Sequence, residues 1–223
     1  MSMDAKTLLT TLKYRRILIG ELSSLTGYPE NTVRATILRN LDVVKISGEE
    51  IVVVNPVQLA LKLVYAGVDL RKISEYLDWR DFEVLSTHIL QEYGYDVLHE
   101  VKLTTPVRLE IDVFGVESST GFSIAVDCKH WSTVSSSRLT QAAESHIERL
   151  NKFSKYYSYA KSKYKVLEKA KHVAPVIVTF LTPKIRTHRG VLLISISEFP
   201  QFLRDRYNVL DYFEVALIDL TRK

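Results

Sequence analysis

Three charged residues lie inside two apolar strands of the stretch IDVFGVESSTGFSIAVDCKHW, residues 111–131: Asp112, Asp127 and Lys129. Side chains alternate across a strand, so Ala125, Asp127 and Lys129 share one face while Ile124, Val126 and Cys128 share the other. On the preceding strand Glu110, Asp112 and Phe114 share a face. A four-residue loop over 118–121 sets Glu117 opposite Phe122 and Asp112 opposite Asp127, with facing β-carbons roughly 5 Å apart. Two carboxylates that close repel unless positive charge separates them. A hard divalent cation, taking oxygen ligands at about 2.1 Å, meets that need, and Lys129 places an ammonium beside it. An antiparallel hairpin with one solvated face gives the same alternation without any function. The hairpin alone leaves both readings standing.

The elements around it are legible from periodicity and turn residues. Residues 5–19 read as a helix, GELSSLTG as a short helix stopping at Gly27, and PENTVRATILRN as another with Val33, Ile37 and Leu41 on one face. Residues 43–46 and 50–54 read as a β-hairpin turning at Ser47-Gly48. A boundary is expected near Asn55-Pro56, where a valine-rich strand gives way to a helical pattern. A connecting helix (57–67) and a short helix ending at Leu77 follow, then a helix over 79–93 with Asp78 as N-cap and Gly94 as stop. Strands are expected at 95–101, 109–116 and 122–129. A long helical segment carries Leu139, Ala143, Ile147, Leu150, Phe153, Tyr157, Ala160, Tyr164 and Leu167 at steps of three and four. Strands at 175–181 and 191–195, a helix at 197–207 and a closing strand at 213–220 complete an α/β layered domain.

Composition narrows the function classes. The 223 residues are 46% hydrophobic and 25% charged, which suits a chain with real cores. The longest apolar runs, such as 51–54 and 191–194, fall far short of the roughly 18 residues a membrane span needs, and no signal-peptide pattern opens the chain, so a cytoplasmic location is expected. The single cysteine, Cys128, excludes an internal disulfide and a multi-thiolate zinc site, and the six histidines show no recognisable ligand pair. No small-molecule cofactor is expected. The net charge of +4 is uneven, because residues 61–131 are acidic and 132–223 basic. Between Arg149 and Lys171 eight basic residues, among them Lys152 and Lys155, face one acid and interleave with Tyr156, Tyr157, Tyr159 and Tyr164. Such a stripe suits a phosphate backbone, and it also suits a solvated helix face.

Two resemblances join these observations. The order helix, helix, turn, helix, hairpin is that of winged helices, and ELSSLTGYPENTVRATILRN resembles their helix-turn-helix. That resemblance implies that Asn31, Thr32, Arg34, Ala35 and Arg39 lie on the exposed side of a recognition helix, facing bases and phosphates. The wing tip, Gly48-Glu49-Glu50, is acidic, which leaves dimerisation or domain docking as the alternative role. Farther along, Phe82-Glu83, Leu90, Gly94-Tyr95, Val97, Asp112, Asp127-Cys128-Lys129 and the later strand VAPVIVTFL resemble, in this order, the PD-(D/E)xK nuclease superfamily. The nearest forms are Mrr-type restriction endonucleases and archaeal Holliday-junction resolvases. The proline of the motif name is replaced by Ile111, and Asp127 stands where Mrr-type proteins often carry glutamine.

The resemblance implies a restriction-endonuclease-like three-layer core with a central mixed β-sheet over 79–223, behind a winged-helix domain at 1–56 and a helical connector at 57–78. It implies that Asp112, Asp127 and the Cys128 backbone carbonyl bind Mg²⁺, with Mn²⁺ able to substitute. Glu83 would hold a metal-bound water or a second metal. Lys129 would orient or deprotonate the attacking water and stabilise the scissile phosphate, leaving 5′-phosphate and 3′-hydroxyl ends. DNA is the implied partner, gripped also by Lys184, Arg186 and Arg189 in a basic loop with His188. His130 is expected on the face opposite Lys129, Trp131 in rim packing, Cys128 as an inert buried thiol, and 132–138 as a polar capping loop. The near-heptad stripe from Leu139 to Leu167 is read as a homodimer seam. A non-cleaving regulatory protein on the same fold, and a nuclease directed at RNA, remain the alternatives.

Overall fold

The computed structural model describes residues 2–131 and 135–221. The chain divides into two compact units, Met1–Asp81 and Phe82–Lys223.

In the first unit α1 (Met3–Tyr14) starts where Ser2 Oγ accepts the Ala5 N–H at 3.2 Å. The helix expected to run to residue 19 ends earlier. Arg15 takes φ 62°, and β1 (Arg16–Leu18) pairs antiparallel with the later hairpin, Ile17 opposite Ile51. Burial of Ile17 in that small sheet outweighs the helical pattern. Next come α2 (Ile19–Thr26), closed by Gly27 in the left-handed region, and α3 (Glu30–Leu38). The hairpin β2 (Val44–Ser47) and β3 (Glu50–Val53) completes a three-stranded sheet of order β1-β3-β2. Helices α4 (Pro56–Tyr65) and α5 (Leu70–Ser74) are capped by Asn55 and Asp69, and α4 packs against α1. The segment 57–78 therefore lies within this unit.

The second unit holds most of α6 (Trp79–Glu92), whose N-terminal turn is capped by Asp78 Oδ1 on the Asp81 N–H at 2.8 Å. Gly94 ends that helix at φ 81°. Strands β4 (Asp96–Leu103), β5 (Leu109–Val116) and β6 (Phe122–Lys129) form an antiparallel meander. Then α7 (Ser136–Lys155), α8 (Tyr157–Lys163) and a 3-10 turn (Lys165–Lys169) lead to β7 (His172–Thr179), parallel to β6. After β8 (Thr187–His188) and β9 (Val191–Ser195) come α9 (Phe199–Arg204) and α10 (Arg206–Tyr212), with a short β10 (Ile218–Asp219) beside β7. The strand order is β4-β5-β6-β7-β9-β8, a mixed sheet. The closing strand expected over 213–220 shrinks to two residues, and the expected helix at 197–207 divides at Asp205.

Helices cover both faces. Cys128 Sγ lies 3.5 Å from Ser86 Oγ of α6, and a Cβ on Gly115 would sit 3.3 Å from Leu90, so one face of β5 and β6 meets α6. On the other, Phe114 and Ala125 share a buried cluster with Leu150, Phe153, Tyr157, Ala160 and Leu167. Leu139 and Ala143 pack with Ile177 and Leu193. The stripe expected to form a dimer seam is thus consumed inside its own chain, because a sheet-facing helix needs the same spacing as a coiled coil. The segment is also not one helix. It breaks at Tyr156, and the Tyr157 hydroxyl donates to the carbonyls of Leu167 and Ala170, folding the chain back.

The turn between β5 and β6 fixes their register. Gly121 adopts φ 81° with its N–H on the Glu117 carbonyl at 2.9 Å, and Glu117 N–H reaches the Phe122 carbonyl at 2.8 Å, the pairing expected from the loop length. A Cβ on Gly121 would approach the Lys169 carbonyl to 2.9 Å and Lys171 Cγ to 2.8 Å. Gly121→Ala is therefore expected to destabilise the protein by about 1–3 kcal/mol, read as a lower urea midpoint at unchanged slope.

Candidate active site

The hydrogen-bonded register of β5 on β6 runs from Val116↔Ser123 to Val113↔Val126 and stops one pair before Asp112 and Asp127. Beyond that point the Cys128 N–H donates to Asp112 Oδ2 at 2.8 Å. The two acids are electrostatic neighbours at this end of the ladder, the Asp127 charge raising the Asp112 carboxyl. The alternation implied Asp112 directly opposite Asp127; here a side chain rather than the ladder joins the strands.

Asp127 is the deepest charge of the unit, its side chain 2% exposed. An ionised carboxylate in that position needs compensation. Lys129 Nζ lies 2.7 Å from Oδ2, and Arg149 Nη1 of α7 donates to Oδ1 at 2.8 Å. Burial pushes the Asp127 carboxyl up, but Lys129, His146 and Arg149 together hold it below the ordinary carboxylate range. The Lys129 ammonium meets Oδ2 as a close ion pair, and no other donor among the described residues reaches that buried oxygen. His146 is itself fully buried, its Nε2 3.1 Å from the Ala125 carbonyl, and burial drives its pKa down to about 4, so the ring is neutral near pH 7.

The other two acids behave oppositely. Burial and then the Asp127 charge raise the Asp112 carboxyl to about 6. Glu83, on the first part of α6, rises to about 7, chiefly from burial and then from Asp112, Glu100 and Glu110. Its Oε2 is 3.5 Å from His99 Nε2. Glu83, Asp112 and Asp127 thus crowd more negative charge than Lys129 and Arg149 neutralise.

These groups fit a hard divalent cation. Among the described residues Asp127 Oδ2 meets only the Lys129 ammonium, and Asp112 offers a second oxygen beyond the one that holds Cys128 N–H. All are oxygen donors of the kind Mg²⁺ takes. A cavity of about 320 Å³ opens beside them, lined by Asp127, Lys129, Trp131, Arg138, Gln141 and Arg149 among others. Its cationic wall is open enough to admit a phosphate.

The remaining expected residues fall in different places. His130 is packed between the rings of Phe82 and Phe180, at 5.3 and 5.1 Å. Trp131 stands at the cavity rim with the Arg138 guanidinium 4.5 Å from its ring centroid. The Cys128 thiol is pushed well up by burial, as an inert thiol should be. Of the capping loop at 132–138, residues 132–134 lie outside the described residues, and Ser135 Oγ caps α7 at the Arg138 N–H. Lys152, Lys155, Lys184 and Arg189 are exposed, whereas Arg186 pairs with Glu198 at 2.9 Å and braces β9 through that acid. In the first unit Asn31 and Ala35 are exposed, Thr32 is half-buried, Arg34 pairs with Glu49 of the wing tip, and Arg39 pairs with Asp4 at 2.9 Å. Of the four tyrosines in the basic stripe, Tyr157 and Tyr164 serve the fold, the latter's hydroxyl donating to the Lys102 carbonyl at 3.1 Å.

Sequence reasoning placed Arg149 on a phosphate track and missed that it partners Asp127. It also passed over His146. The available signal was the stripe itself: between Ala143 and Leu150 the buried position falls to His146, a polar residue inside an apolar series.

Comparison with known proteins gives one family match over this region. Residues 74–174 match the family model of the Mrr catalytic domain, described as restriction endonuclease. No curated protein matches the chain. Among solved structures, protein VC1899 from Vibrio cholerae aligns at 15% identity and TM-score 0.33, over 95% of this chain and 52% of that one. Restriction endonuclease FokI aligns at 11% identity and TM-score 0.35, over 92% of this chain and 40% of that one. This chain therefore spans about half or less of those two proteins, and scores so low add nothing to the family match. The matched segment, a little under half of the chain, contains Glu83, Asp112, Asp127, Lys129 and Arg149, and over residues 74–174 the chain is similar to the restriction-endonuclease catalytic domain of that model.

Proposed function

We propose that the protein is a Mg²⁺-dependent DNA endonuclease that hydrolyses phosphodiester bonds to leave 5′-phosphate and 3′-hydroxyl ends. The observation that carries this reading is the buried Asp127 carboxylate, with Asp112 beside it and Lys129 Nζ at 2.7 Å, opening on a cation-lined cavity. Asp112, Asp127 and the Cys128 carbonyl would hold the metal, with Glu83 reaching it through water. When bound, such an ion supplies a more acidic water and neutralises charge on the phosphate. Lys129, as the ammonium beside Asp127, would orient the attacking water and stabilise the charge that grows on the scissile phosphate. Arg149, donating to Asp127 and lining the cavity, is placed to donate to a phosphate oxygen once a cation shares the carboxylate. Lys152, Lys155, Lys184 and Arg189 extend the positive surface for the backbone.

The first unit is read as a winged helix that positions the enzyme on DNA. Its helix–strand–helix–helix–hairpin order and three-stranded sheet support that reading. Arg34 and Arg39 would exchange Glu49 and Asp4 for phosphates on binding. Among the described residues no helix is long and apolar enough to cross a membrane, and we place the protein in the cytoplasm with its substrate. Cutting both strands with one centre per strand calls for a homodimer. Its interface would use a surface other than the buried stripe of α7.

Supercoiled, linear, single-stranded and four-way-junction DNA incubated with Mg²⁺, Mn²⁺ or EDTA test the function. Cleavage is expected with either metal and none with EDTA, falling by about 10²-fold or more in Asp127→Ala and Lys129→Ala. Cleavage that survives in both variants would place the chemistry elsewhere, and binding without cleavage would favour a regulatory protein.

The raised carboxyls give a second expectation. In the metal-free fold, ionising Asp112 and Glu83 costs stability. This cost is absent below their unfolded values near 4, and it grows as pH rises toward about 6 and 7. A cation offsets it. Mg²⁺ is therefore expected to bind roughly tenfold or more tightly at pH 8 than at pH 5.5, with proton release, measured by titration calorimetry in two buffers.

A further inference from the structure

We propose that the second unit carries a binding site for a nucleoside 5′-monophosphate, in the cavity between the end of α7, α8, the 3-10 turn and the residues after β10. The site goes beyond the nuclease reading and does not rest on it. The cavity holds about 640 Å³, twice the volume of the one beside Asp127, a size that suits a small-molecule ligand.

Its walls are set by contacts within the chain. The Tyr157 hydroxyl donates to the carbonyls of Leu167 and Ala170, Ser154 Oγ donates to the Asp219 carbonyl at 3.2 Å, and the Leu220 N–H reaches the Lys171 carbonyl at 2.8 Å. Tyr157, Ala170 and Leu220, all buried, supply an apolar floor. The space is therefore formed before a ligand arrives, which lowers the ordering cost of binding.

The rim has the opposite character. Lys155, Lys161 and Lys171 line it together with a single acid, Glu168, while Ser158 and Thr221 add hydroxyls. Nearby lysines are engaged, Lys163 on the Lys102 carbonyl at 2.8 Å and Lys169 with Asp96 at 3.5 Å. Among the described residues none of the three rim lysines forms an ion pair, and Lys161 Nζ lies over the Tyr157 ring, 5.2 Å from its centroid.

Charge and shape together select the ligand class. Three lysines against one glutamate leave +2, the complement of a phosphate monoester, which carries about −1.5 to −2 near neutral pH. A backbone phosphodiester offers one charge per phosphate. Free phosphate would satisfy the lysines and leave the apolar floor uncovered. A nucleoside joined to that phosphate brings a base to lie against Tyr157 and Leu220, and hydroxyls for Ser158, Thr221 and Glu168. The place is also distinct from the candidate active site. Lys171 comes six residues before Ile177, the β7 partner of Asp127, so roughly 20 Å of sheet separates the two. Lys155 is shared with the surface proposed for the DNA backbone.

Calorimetric titration of the full chain in EDTA tests the site, using adenosine and cytidine 5′-monophosphates, the two free nucleosides and inorganic phosphate. At least one monophosphate is expected to bind at one per chain, with its nucleoside and phosphate each at least tenfold weaker. The double variant Lys161→Gln/Lys171→Gln should weaken that binding at least tenfold. Ser158→Trp, at an exposed position on α8, fills the space while keeping every lysine, and should do the same with an unchanged melting temperature. Lys129→Gln should leave it as it is. Absence of saturable binding by either monophosphate, or phosphate alone binding as tightly, would overturn the proposal. Binding lost in Lys129→Gln and kept in Ser158→Trp would move the nucleotide to the Asp127 cavity and overturn it too. So would a double variant that loses duplex DNA and nucleotide equally while Ser158→Trp loses neither, since the lysines would then be an open backbone track. None of these readings requires cleavage, so a chain that fails to cut DNA can still uphold the site.

Discussion

The second unit depends on keeping the Asp127 carboxylate ionised where almost no water reaches it. Desolvating such a charge costs several kcal/mol, and only close, directed cations offset it. One of them, Lys129, comes from the same strand two residues on. The other, Arg149, comes from α7 across the sheet face. The helix must therefore sit at one height over the strands, and Leu150 and Phe153 against Phe114 and Ala125, with His146 on the Ala125 carbonyl, set that height. Packing and electrostatics here are one constraint.

The same crowding divides three acids into two kinds. Asp127 monopolises the cations and stays charged. Asp112 and Glu83, with burial and neighbouring negative charge against them, hold protons toward neutrality. Such a set favours added positive charge, and it lies where the β5–β6 ladder ends.

Much of this was legible in the sequence because strands encode faces directly. Alternation put Cys128 and His130 on the side away from Lys129, and the loop length gave the register that Glu117 and Phe122 display. What stayed hidden depends on contacts between elements distant in the chain. Nothing local announces that Arg149 meets an acid 22 residues earlier, or that Arg34, Arg39 and Arg186 are held by carboxylates rather than waiting for phosphate. The length of the α7 stripe misled for a physical reason. Tyr157, Ala160 and Leu167 keep an apolar phase across the break at Tyr156, so periodicity continues where the helix does not. The left-handed residues Arg15 and Glu100 carry no glycine to mark them, and their conformations come from tertiary packing.

Parallel pairing of β6 with β7 obliges the chain to leave the sheet after Lys129 and return at His172 by way of α7 and α8. Non-local closures of this kind are slow steps in folding, whereas an adjacent hairpin assembles early. A nascent polypeptide thus possesses its two hairpin aspartates well before the guanidinium that steadies one of them. The full set of counterions and the finished sheet arrive together, and a chain not yet closed keeps Asp127 with Lys129 alone beside it.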